Sequence, residues 1–189
     1  MENIKEKILN SAIEKFKING YKQTNIQQIC KDADIATGSF YKYYSSKEEI
    51  YFDSYRKENE RVKENILSTI NFDETPIELI YMIISKIFEE THENRLLNEW
   101  SCSKYLREKL QSQYDLIIKD SVAYKTFKEL IDYWDEKRLL NEKVGKEEAI
   151  EMFNAISILD LHQNEIQTSN YQKLLKNMFT ALLSLILKQ

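Results

Sequence analysis

The residues best suited to chemistry lie between Thr24 and Lys47. Thr24, Gln27, Tyr41, Lys42, Tyr43 and Lys47 bring hydroxyls, an amide and cations into one short stretch. Such groups grip phosphate oxygens. Thr37, Gly38 and Ser39 are small, and they stand where a short helix should begin. A helix that enters a major groove presents its N-terminal residues to base edges, so small or polar side chains are required there. Gly38 lets the backbone approach closely. Phe40 and Tyr44 are spaced to turn inward and hold the unit together. The chemistry on offer is nucleic-acid recognition.

Other chemistries have less support. Glu89-x-x-His92 resembles half of a di-iron carboxylate site, but a helical bundle needs a second such pair, and His162 with Glu165 has the reverse order. Glycine-rich phosphate loops are absent. With two His and no convincing nucleophile–base pair, hydrolytic catalysis is not supported. The expectation is no enzyme, no metal and no cofactor.

The elements that must position Thr24–Lys47 are helices. The chain has 189 residues, 42% of them hydrophobic, with three Gly and one Pro. So few turn formers leave little material for strands, and the expected class is all-α. A first helix fits Ile4 to Asn19, with Ile8, Ala12, Ile13 and Phe16 on one face and Gly20 after it. Thr24 and Gln27 read as a capping box for a second helix to Asp32. A third runs from Thr37 to Tyr44, and a long fourth from Lys47 to Ile70. Thr75-Pro76 with Glu78 opens a fifth, to Glu90. Residues 95–139 read as helical, with breaks at Ser101–Ser103 and Asp120-Ser121. A turn at Asn141–Gly145 leads to a helix from Lys146 to Leu161. The last helix, capped by Thr168 or Ser169, ends at Lys188.

Charge locates the recognition surface. Net charge is −4, but residues 1–50 hold eight Lys against seven Asp and Glu, while the remainder carries −5. A DNA-binding surface must therefore be local and near the N-terminus. Residues 1–20 are too charged for a signal peptide, and Met178–Leu187 is too short an apolar run to span a bilayer. Cys30 and Cys102 form no motif, which fits a reducing compartment. A cytoplasmic protein without membrane partners is expected.

The run ILNSAIEKFKINGYKQTNIQQICKDADIATGSFYKYYSSKEEIYFDSY, residues 8–55, resembles the DNA-binding domain of the TetR (tetracycline-repressor) family. The resemblance rests on Ala12, Phe16, Gly20-Tyr21, Thr24, Ile29, Ala33, Gly38, Tyr41 and Ser46-Lys47-Glu48. It covers about a quarter of the chain. Two positions depart from the pattern. Asp34 stands where glycine is frequent, yet Asp tolerates a left-handed backbone. Tyr44 replaces a usual phenylalanine.

The resemblance implies a helix-turn-helix domain over 1–46 and a helical ligand-binding and dimerisation domain over 47–189. It implies that Thr24, Tyr41 and Lys47 grip phosphates and that Thr37, Ser39, Lys42 and Tyr43 lie nearest base edges. It further implies a homodimer on a palindromic DNA operator, acting as a repressor released by a small-molecule inducer, with an activator or a DNA-organising protein as the alternative. The last helix carries an apolar stripe too wide for one buried face. The expected interface residues are Phe153, Ile156, Leu175, Met178, Phe179, Leu182 and Ile186. For an inducer pocket the candidates are Tyr81, Phe88, Trp100, Tyr105, Tyr114 and Trp134.

Overall fold

A computed structural model describes residues 3–91, 93–109, 116, 119–161 and 165–188. The elements are α1 (Ile4–Gln23), α2 (Ile26–Asp32), α3 (Thr37–Phe40), α4 (Lys47–Ser68), α5 (Pro76–Thr91), α6 (Arg95–Cys102), α7 (Lys104–Lys109), α8 (Val122–Glu136), α9 (Lys146–Leu161) and α10 (Tyr171–Ile186). The protein is all-α, and no strand occurs among the described residues. Among them, too, no helix is long and apolar enough to cross a membrane.

The chain packs as two units, Met1–Arg61 with Glu89–Ile117, and Val62–Phe88 with Ile118–Gln189. These units reflect packing. The division at 46/47 concerns roles and is a separate matter.

In the first unit Ile8, Ala12, Ile13 and Phe16 of α1 meet Ile29, Cys30 and Phe40, with Ile50 and Tyr51 of α4 closing the core. The helix boundaries here shift from the expected ones for identifiable reasons. α1 does not stop at Asn19. It kinks at Gly20, which takes φ 74° and ψ 175°, and continues to Gln23. The cap of α2 is Asn25 and not Thr24. The Asn25 side chain accepts from Gln28 N–H at 2.9 Å, and Gln28 Oε1 accepts from Asn25 N–H at 2.8 Å. Both dipeptides offer a capping residue with Gln three positions on, and burial of Thr24 decides between them. α3 is one turn long. After Phe40 the chain continues in tight turns, with Tyr43 N–H donating to Phe40 O at 2.9 Å.

The second unit has a core of aromatic residues. Phe127, Phe153 and Phe179 form a triangle with ring centroids 5.0 to 5.5 Å apart, and Trp134 lies 6.3 Å from Phe153. Leu79, Ile80 and Ile83 of α5 and Leu182, Leu183 and Ile186 of α10 complete it. The end of α10 is pinned to the α8–α9 connection, where Asn141 N–H donates to Ile186 O at 2.7 Å.

This core takes up most of the expected interface residues. Phe153, Ile156, Phe179, Leu182 and Ile186 are at most 9% exposed in the single chain. Leu175 and Met178 pack partly against the same core. The stripe is nonetheless wider than the core needs, since Leu185 stays 49% exposed and Leu159 of α9 42%. The bulky residues of one face were drawn inward by Phe127 and Trp134, leaving a second, thinner apolar face outside.

Candidate nucleic-acid interface

The turn between α2 and α3 aims the candidate site. Asp34 takes a left-handed φ of 53°. Ile35 N–H then reaches Cys30 O at 3.0 Å and Asp34 N–H reaches Lys31 O at 3.2 Å, the paired bonds of a Schellman stop. The turn works without glycine because a short polar side chain pays little for that backbone. Ser11 Oγ donates to Ile29 O at 3.0 Å and the Lys15 ammonium pairs with Asp32 at 2.7 Å, so α2 is seated on α1.

On this support Phe40 and Tyr44 are buried, their rings 5.8 Å apart, and they form the keel under α3. Burial raises the Tyr44 phenol well above its usual range, with the Asp53 charge adding to the effect, so it stays neutral. The opposite side is open. Thr37, Gly38, Tyr41 and Lys42 are exposed, Tyr41 to 57%, while Ser39 and Tyr43 are half-buried. No heavy atom beyond its immediate neighbours lies within 4 Å of where a Cβ on Gly38 would sit. Space inside the protein therefore does not require that glycine. Gln27 is exposed on α2. Hydroxyl, ammonium and backbone are thus exposed on and beside one short helix, the groups a groove-reading helix needs.

Two of the expected contact residues sit differently. Thr24 is 1% exposed, and its hydroxyl faces Gly20 O at 2.8 Å and Lys15 O at 3.2 Å. That hydroxyl secures the α1 kink and is not a surface group. Lys47 is half-buried, and its Nζ donates to Tyr21 O at 2.9 Å and Thr24 O at 3.0 Å, with the Tyr21 ring centroid 3.9 Å away. Partial burial lowers its affinity for the proton, opposed by the charges of Glu48 and Glu99. An ammonium has three protons, so one remains for a ligand.

Sequence reasoning missed the joint beneath this surface. Tyr21 Oη donates to Glu48 at 2.6 Å. Burial first, then Glu48, raises the Tyr21 phenol far above its usual range, while that same hydrogen bond lowers the Glu48 carboxyl. Tyr21 N–H donates to the Glu99 carboxylate of α6. Nothing local in the sequence announces a partner 78 positions away.

The inducer candidates are divided between the two units. Trp134 is core of the second unit. Tyr81 lies in that unit too, its hydroxyl 2.9 Å from Thr180 Oγ1, and Phe88 is exposed there. Tyr105 belongs to the first unit, its ring 6.0 Å from that of Tyr21. The Trp100 side chain and Tyr114 lie outside the described residues, as do His92 and His162. A cleft of about 380 Å³ in the first unit is lined by charged groups, including Lys17, Arg61, Arg95, Glu90 and Glu93.

Comparison with known proteins bears on both the surface and the fold. Residues 8–53 match the family model described as "Bacterial regulatory proteins, tetR family". The fatty acid metabolism regulator protein of Bacillus subtilis (strain 168) is 31% identical over 81 residues, 43% of this chain and 42% of that protein. The match thus spans less than half the length of that relative. FadR from Bacillus halodurans, a fatty acid degradation regulator, has a similar structure over 97% of this chain and 96% of its own, with TM-score 0.61 and 18% identity. Thermus thermophilus FadR in complex with lauroyl-CoA is similar over 95% and 91%, with TM-score 0.62 and 17% identity. At such identities the structural likeness is one of fold.

Proposed function

We propose that the chain, whose residues 8–53 match the tetR family of bacterial regulatory proteins, regulates transcription by binding a two-fold symmetric operator as a homodimer. The observation that carries this reading is the surface of Thr37, Gly38, Tyr41 and Lys42, exposed on a keel of Phe40 and Tyr44 that is itself 1% exposed or less. Its residue types serve both phosphate contact and base-edge contact. Lys42 and Tyr43 set the base preference, and Tyr41 with the remaining proton of Lys47 holds the backbone.

The dimer face is the outer stripe of α9 and α10, with Met152, Ala155 and Leu159 on one helix and Met178, Ala181 and Leu185 on the other. These positions recur at helical spacing and are exposed or half-buried in the single chain. A palindromic site read by two recognition helices about 34 Å apart requires such a partner.

Release from DNA is assigned to a small molecule. The first ligand class to try is a long-chain acyl-CoA, supported by the B. subtilis relative's role in fatty acid metabolism and the lauroyl-CoA held by the Thermus protein. The test is selection of DNA from a randomised pool by the full chain, then titration of the complex with lauroyl-CoA. An enriched palindrome whose complex dissociates on titration is expected. Enrichment of no sequence sinks the regulator reading, and an enriched site indifferent to lauroyl-CoA removes the ligand class alone.

A further inference from the structure

The Gly20 kink interrupts the hydrogen-bond ladder of α1, and the amide that follows it must find an acceptor elsewhere. For Tyr21 N–H that acceptor is a carboxylate from another helix, Glu99 of α6. The carboxylate occupies the room a side chain would take, since a Cβ on Gly20 would lie 2.6 Å from Glu99 Oε2. At the other end of the same residue, Tyr21 O accepts from Lys47 Nζ at 2.9 Å, and Thr24 O accepts from that ammonium at 3.0 Å. Residue 21 is therefore held by an acid on α6 at its N–H and by a base on α4 at its carbonyl. Bonds to charged groups are the stronger kind. The clamp lies just before the Asn25 cap of α2. Its position sets where α2 and the exposed surface of α3 hang.

We propose that Glu99 is a positioning residue for DNA recognition, its carboxylate holding the Gly20–Tyr21 joint so that α2 and α3 present their surface in the binding geometry. The inference rests on the regulator reading above. It gives α6 a hold on the joint that leads to the DNA-reading helices. The hold has company, because Tyr51 Oη donates to Leu96 O of α6 at 2.9 Å and Asn94 Nδ2, at the α6 cap, donates to Glu58 at 2.8 Å. Those bonds anchor α6 to α4. Arg95 of α6 also donates to Asn19 O of α1 at 3.5 Å, one residue before the kink, while the bond to Glu99 is made by Tyr21 N–H at the joint itself.

The test uses the full chain and a DNA duplex that the wild type enriches from a randomised pool. Affinity is read by fluorescence anisotropy for wild type, Glu99→Ala and Glu99→Gln. Hydrogen exchange over residues 20–24 is followed without DNA, and a thermal melt reports folding. Loss of a charge-assisted bond predicts that Glu99→Ala binds about tenfold more weakly, with base preference unchanged. Protection over 20–24 should fall while protection over α8–α10 holds. The Gln variant keeps an acceptor oxygen and should recover most of both. Should Glu99→Ala not fold, Glu99→Asp keeps the charge, shortens the reach by one methylene and replaces it in the comparison. Wild-type affinity in Glu99→Ala or its replacement overturns the proposal, as does weakened binding with intact protection over 20–24. If the wild type enriches no sequence, the regulator reading falls and takes this role with it; an enriched site bound equally by the variant removes only the clamp.

Discussion

Each unit has an apolar core, and they differ in where their charged ties lie: those of the second, such as Lys146–Asp132 and Lys63–Glu129, are partly exposed, whereas the first buries one of its carboxylates, Glu58. In the second, the Phe127–Phe153–Phe179 triangle, Trp134 and a wall of Leu and Ile make an apolar core. In the first, the apolar core is supplemented by charged ties between distant elements. Glu58, 2% exposed, accepts from Arg61 at 2.9 Å and from Asn94 at 2.8 Å, with Lys17 at 3.3 Å. Glu99 and Lys47 bracket Tyr21. Packing is tolerant of direction, whereas hydrogen bonds to charges specify geometry. A part that must present a surface at fixed angles to DNA gains from the second kind, and a part that only needs to cohere can rest on the first.

The sharpest way to break this contrast is to remove packing where packing is claimed to dominate. Trp134→Ala should cost about 3–5 kcal/mol, the range for a large buried aromatic, measured by urea denaturation. A loss under about 1 kcal/mol, the size of a surface change, would mean the aromatic cluster is not what holds the second unit. Next in size is the outer stripe of α9 and α10. Leu159→Glu with Leu185→Glu places like charges on both sides of the proposed dimer face. The dimer should weaken on the order of 100-fold, since such juxtapositions cost several kcal/mol. Sedimentation at rising concentration reads this directly, and an unchanged association constant moves the interface elsewhere.

The charged ties come third. Glu58→Ala strips the shared acceptor from Arg61, Asn94 and Lys17, and should cost about 2 kcal/mol. Its pH signature separates it from packing. Burial alone would raise the Glu58 carboxyl, but the bonds and charges of Arg61 and Lys17 outweigh it and hold the group below its ordinary value. A depressed folded pKa means stability that is fully present above the unfolded value, about 4.3, and is lost as pH falls through the folded one. Stability of the wild type should therefore decline below that unfolded value, and Glu58→Gln should flatten part of the decline. Parallel curves for the two would deny Glu58 the role of hub.

How much of this could be read in the chain follows the same divide. Local signals were legible. The left-handed turn at Asp34, the inward Phe40 and Tyr44, the breaks at Ser103 and Ser121 and the helix from Lys146 depend on neighbours a few residues away. Misplaced features depended on competing neighbours or on a backbone path that exists only once the chain has folded. Thr24 and Asn25 compete for one cap, and the Gly20 carbonyl that claims the Thr24 hydroxyl is visible only after the kink forms. Phe153 and Phe179 read equally well as interface or core, because a wide apolar helix does not say which face meets its own chain. The last helix was expected to start at Thr168 or Ser169, but Asn170 caps it, its side chain accepting from Lys173 N–H at 2.9 Å.

The smallest expected effects lie at the recognition surface, and they separate two uses of a polar side chain. Tyr41 is exposed, its ring edge-on to Phe40 at 5.4 Å. Tyr41→Phe keeps that packing and removes only the hydroxyl. Stability should not move, while DNA affinity falls by about 1 kcal/mol on every sequence alike. Because a phenol carries no charge, the slope of log K against log salt should stay as it was. Lys47→Ala should do the reverse. It frees the Tyr21 and Thr24 carbonyls and so lowers the melting temperature. If its third proton meets a phosphate, the salt slope also drops by about 0.9. A lowered melting temperature with an unchanged slope would assign Lys47 wholly to the clamp. The phosphate contacts would then fall to Tyr41 and the exposed groups around it, and the first unit would owe the Lys47 junction to geometry rather than to DNA.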